Sequence, residues 1–192
     1  MLLIILYAKY FEPSVDGLFI PPATPPYPTG GLLTHTFQIL CSIPPVVCGL
    51  TFAILRQIDP QNKNNFFFLG SSIFTSGFLF NEIYRIHIVL LYFDVPKSTT
   101  IQVYGIILLT YLFLFWKNLR TTPYGIILFG IFLLFIAVLI DSVSAKLYVK
   151  SLLIEGIPKL FFGVNFALYF WLICYQEILA VFHKKDLANI TK

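Results

Sequence analysis

The segment Asn81-Glu82-Ile83-Tyr84-Arg85-Ile86-His87 sets an amide, a carboxylate, a guanidinium and an imidazole inside an otherwise apolar run. Residues three and four apart are neighbours on a helix, so a helical run brings Asn81, Glu82 and Arg85 to one face. His87 lies about 200° around from Arg85 and faces elsewhere. In a later apolar run, Glu155 and Lys159 stand four apart in the order that favours an ion pair. Asp141 stands at the end of the run before it. Carboxylates and cations gathered in a low-dielectric layer have two uses. They clasp helices into register, or they line an aqueous pocket where Arg85 and Lys159 hold an anionic head group and Glu82 or Glu155 carries a proton.

Other chemistry is thinner. His87 is a candidate ligand for haem or chlorophyll, with His35 as the partner at similar depth, although an intramembrane His also serves as a hydrogen-bonding residue. Cys41, Cys48 and Cys174 show none of the paired spacing of metal or disulfide frameworks and read as small apolar packing residues. There is no Gly-rich phosphate loop, no G-x-S-x-G and no H-E-x-x-H. Ser142 and Ser144 beside Asp141 lack a nearby base. The paired His of alkaline ceramidase-type intramembrane hydrolases is missing from the last apolar run, which has no His before His183. The expectation is a non-catalytic protein with no metal site.

These residues need elements that can carry them through lipid. The chain has 192 residues, 58% hydrophobic, 18% aromatic and only 11% charged, with a mean hydropathy of +0.83. Soluble domains carry about 25% charged residues. A soluble enzyme and a nucleic-acid binder are therefore excluded, and the fold class is an all-α polytopic transmembrane bundle. The net charge of +4 is spread over loops, short of the roughly four to eight clustered cations of a lipid-binding patch.

Five spans are expected, at about 32–55, 66–93, 99–116, 123–145 and 151–182, the first interrupted by Pro44–Pro45. Residues 1–31 form an apolar, then Pro-rich, non-spanning segment, residues 32–182 the bundle and residues 183–192 a short polar tail. At 1.5 Å per residue, Glu82 lies about 16 Å from the Phe93 end of its span, near the middle of the bilayer. Alternating topology puts Glu82, Arg85, Asp141, Glu155 and Lys159 in one half of the membrane. Loop cations divide seven to four: Arg56, Lys63, Lys117, Arg120, Lys184, Lys185 and Lys192 against Lys9, Lys97, Lys146 and Lys150. That bias places the C-terminus on the cytoplasm-equivalent side and the polar layer in the outer half.

Together NEIYRIH, Asp141 at a helix end and the opening LLIEGIPKLFFG resemble small uncharacterised bacterial membrane proteins, cyanobacterial ones included, over about residues 70–180. The resemblance implies a bundle with a polar cluster and carries no activity. The expected role is an accessory or structural subunit of a larger membrane complex, in contact with the bilayer, bound lipid and other subunits. The rival is a transporter or lipid/small-anion binding protein using the outer charge layer, and a third reading is a pigment or haem carrier.

Overall fold

In lipid every backbone polar group must bond within its own segment, and apolar runs of this length do so as helices. The structure, a computed structural model, describes Leu6 and residues 9–10, 31–86, 89–90, 93–147 and 152–190, without the side chains of 97, 141–147, 152–155 and 184–190. The helices are α1 (Leu32–Ile58), α2 (Asn65–Tyr84), α3 (Lys97–Leu114), α4 (Trp116–Arg120), α5 (Tyr124–Leu147) and α6 (Leu152–Ile190). No strand occurs among the described residues. Leu32–Ile58, Asn65–Tyr84 and Gly156–His183 are long and apolar enough to cross a membrane, and Ser98–Leu114 and Tyr124–Ile140 are shorter apolar helices. Of the Pro-rich segment, nearly all lies outside the described residues.

Two boundaries differ from those expected, and the interruption expected at Pro44–Pro45 does not end its helix. α1 continues through Pro44 and Pro45. Proline has no N–H, so neither residue donates the usual bond to the carbonyl four residues back, while the Pro45 carbonyl accepts the Ser72 hydroxyl at 2.9 Å. α2 stops at Tyr84, well short of Phe93, because Arg85 turns left-handed (φ 49°, ψ 50°). Asp94 also has positive φ, 59°. No glycine lies between positions 78 and 104 to take these conformations, and the β-branched residues around Arg85 support helix poorly. The third apolar run breaks at Phe115, which separates α3 from α4.

The chain divides into two compact units, residues 1–40 with 127–165 and residues 41–126 with 166–192. In the first, Phe37 and Phe162 are buried with ring centroids 6.3 Å apart, and Gly163 is needed where a Cβ would come within 2.9 Å of the Phe37 ring. In the second, Phe74 stacks on Tyr111 at 4.4 Å, and Phe67 meets Phe115 edge-on at 5.5 Å. Gly70 lets that ring in: a Cβ there would stand 2.5 Å from it.

Hydroxyls inside these helices are satisfied by their own backbone. Thr51, Ser71 and Thr75 donate to the carbonyls four residues back at 2.7 Å each, which removes the cost of burying them. Since the Ser71 hydrogen goes to Phe67, Tyr111 is the donor in its 2.7 Å bond to Ser71.

Candidate functional site

Asn81, Glu82 and Arg85, the central residues of the expected polar layer, belong to the second unit. Tyr104 donates to the Asn81 Oδ1 at 2.6 Å, and Glu82 is half-buried. Arg85 caps α2 in a left-handed conformation, so the helical spacing that put it on a face with Asn81 and Glu82 ends one residue before it. Lys159 belongs to the first unit and sets its Nζ 5.0 Å from the Phe37 ring centroid, a cation–π contact. Asp141 and Glu155 fall on α5 and α6, and their side chains lie outside the described residues, as does His87 entirely. His35 is exposed and meets the Gln38 Oε1 with its Nδ1 at 3.2 Å.

The best-formed polar network is elsewhere in the second unit, where α1 gives way to α2. The turn after α1 begins as an unfinished helix, Asp59 N–H bonding the Leu55 carbonyl at 2.8 Å. Asn62 then folds its Oδ1 onto the Asn64 N–H at 2.9 Å, a local side-chain turn that Asn favours. Asn64 occupies the N-cap of α2 without capping it. Its amide is committed outward instead, donating Nδ2 to the Glu177 Oε1 at 2.9 Å and accepting the Asn118 Nδ2 at 2.9 Å. Asn62 Nδ2 also reaches the Glu177 Oε1, at 3.3 Å. A forgone cap costs about 1 kcal/mol, and the charge-assisted bond to a carboxylate, about 1.5–3 kcal/mol, outweighs it.

Asn65, buried behind the turn, holds it closed through Nδ2 bonds to the Asp59 and Pro60 carbonyls at 3.3 and 3.2 Å. Its Oδ1 is buried and has no partner. On the α4 side, Thr121 donates to the Asn118 carbonyl at 2.8 Å and Thr122 to the Leu119 carbonyl at 2.6 Å. Thr122 therefore accepts from the buried Tyr169 hydroxyl, 2.8 Å away.

Between these groups lies a partly open cavity of about 230 Å³. Its polar lining comes from Asn64, Asn118, Thr121, Thr122, Gln176 and Glu177. Phe67, Phe68, Ile173 and Ala180 form apolar walls. Cations flank the same loops in sequence, Lys63 between Asn62 and Asn64, and Lys117 beside Asn118. Arg120 lies over the Trp116 ring at 4.6 Å and Arg56 over Phe52 at 5.8 Å. Aromatic rings paired with long cations suit a membrane–water interface. This site is not part of the polar layer expected from Glu82, Arg85, Asp141, Glu155 and Lys159. Its signals were the Asn62-Lys63-Asn64-Asn65 run and Glu177, an acidic residue within an apolar run.

A family model described as a domain of unknown function, DUF8692, matches residues 14–175, and the chain belongs to that family. No curated protein and no solved structure matches the chain.

Proposed function

We propose that this DUF8692 protein is a non-catalytic integral membrane protein that crosses the bilayer five times and holds a small polar ligand or lipid head group beside Glu177. The carrying observation is the cavity itself, lined by amides, hydroxyls and a carboxylate that converge from α2, α4 with its following turn, and α6. Convergent polar groups on apolar walls are the usual makings of a binding site. The five-span count is supported by the shorter helices, since about 17 apolar residues are the lower bound for crossing. With five spans, the excess of loop cations puts the cavity and the C-terminal tail on the cytoplasm-equivalent side. The likeness of the NEIYRIH and LLIEGIPKLFFG segments to those of small bacterial bundles supports a bacterial relationship.

Native mass spectrometry of the detergent-purified chain tests the pocket. A small molecule or lipid retained by the protein and lost from Ala180→Trp, which fills the cavity, supports the reading. A bare protein in both cases, after purification in native lipid, refutes it.

A second reading, attachment as an accessory subunit, rests on α3. Ile101, Val103, Ile106, Ile107, Leu109 and Phe113 are all exposed there, a surface suited to a neighbouring transmembrane helix as well as to lipid. A partner protein that co-purifies in mild detergent and is lost from Ile106→Ser/Leu109→Ser supports this reading. A strictly monomeric particle counts against it.

A further inference from the structure

We infer that the cavity beside Glu177 selects a primary ammonium group; this rests on the reading of the cavity as a ligand site and names the ligand's chemistry. The inference follows from where the hydrogens go. Thr121 and Thr122 have each committed their single hydroxyl hydrogen to a backbone carbonyl, so towards the cavity they offer oxygen alone. Asn118 spends one of its two amide hydrogens on Asn64 and keeps its Oδ1 as an acceptor. Glu177 takes both of its amide bonds on Oε1, and an ionised carboxylate has about four lone-pair sites. Among the residues lining the cavity, Glu177 is the one ionisable side chain.

The lining thus mixes amide donors from Asn64, Asn118 and Gln176 with free acceptors, and its one formal charge, on Glu177, is negative. A phosphate or carboxylate would meet the like charge of Glu177 there, with no cation in the lining to offset it. A group bearing a positive charge and several N–H donors fits: an ammonium has three. Size narrows it further. At about 230 Å³ the cavity is below the roughly 300–1,000 Å³ typical of drug-sized ligands. It takes a short aminoalkyl group, its methylenes against Phe67, Phe68 and Ile173. Two sources supply that chemistry, the ethanolamine head of an aminophospholipid and a free small amine.

The test uses the full chain in phosphatidylcholine nanodiscs. Ethanolamine and choline are titrated by calorimetry, and discs doped with phosphatidylethanolamine are examined by native mass spectrometry. Retention of the aminophospholipid alone assigns the lipid source, ethanolamine binding assigns the soluble one, and either supports the inference. Glu177→Gln keeps an oxygen for the Asn62 and Asn64 amides but removes the charge, and it should weaken binding by about tenfold or more. Gln176→Lys places an ammonium of the chain's own beside Glu177 and should abolish binding while the helical spectrum is kept. Choline binding as well as ethanolamine, or either variant binding like the native chain, overturns the inference. A ligand displaced by Ala180→Trp yet retained by Glu177→Gln overturns the ammonium assignment and leaves the ligand pocket standing. A chain that carries no ligand in any form removes both.

Discussion

Oxidising the membrane-embedded chain with diamide should join Cys48 to Cys174. The two thiols come from α1 and α6, 126 residues apart in sequence, and stand 3.8 Å apart in the core of the second unit. A disulfide needs about 2.05 Å, so each sulfur must advance by about 0.9 Å, within reach of a small side-chain rotation. The two thiols lose two hydrogens and two electrons to diamide, which becomes the hydrazine, and the chain loses about 2 Da. Closing a loop of this length restricts the unfolded chain by about 5 kcal/mol in the chain-entropy model. With roughly 2–4 °C per kcal/mol at this size, the melting temperature should rise by about 10–20 °C, less whatever strain the bond introduces. Intact-mass analysis after alkylation of the unfolded chain reads the result: one alkylated cysteine, Cys41, remains. Cys41→Ser should leave the crosslink intact, and Cys48→Ser should abolish it. Alkylation of both Cys48 and Cys174 after full oxidant exposure, or a bond that involves Cys41, would refute this packing of α1 on α6.

Other substitutions separate the sources of stability. Asn64→Ala removes the bonds to Glu177 and Asn118 and should cost about 2–4 kcal/mol in detergent unfolding; a cost below 0.5 would show that the network is idle. Tyr111→Phe leaves Ser71 bonded to Phe67 and the stack on Phe74 in place, so its cost should be only about 0.5–1 kcal/mol. Gly163→Leu drives side-chain atoms into Phe37 and should destabilise by about 1–3 kcal/mol or more, read as a lower melting temperature. Gly77→Ala meets nothing within 4 Å, and its better helix propensity should raise stability by up to about 1 kcal/mol.

The helical class, with helices long and apolar enough to cross a membrane, was legible because composition and run length report it directly. The ends of α1, α5 and α6 fell within a few residues of their expected places except where α6 runs on past position 182 to Ile190. What period and hydropathy cannot convey is a local backbone choice such as the left-handed turn at Arg85. That turn falls on Arg85 with no glycine nearby to mark it, and the helical spacing ends at Tyr84, one residue before Arg85. The network beside Glu177 was harder to read for a related reason. Charges within lipid stand out in a sequence, whereas a network of asparagines at a turn looks like ordinary loop chemistry. Its significance depends on Glu177, more than a hundred residues away, and pairing across that separation leaves no periodic trace.

That separation also orders events at the ribosome. The Asn62 and Asn64 amides leave the exit tunnel 115 and 113 residues ahead of the carboxylate that receives them. Until the last helix is delivered, the early hairpin waits with these donors turned to water or to a chaperone. A chain that stops before position 177 therefore leaves that first turn without the carboxylate that latches it.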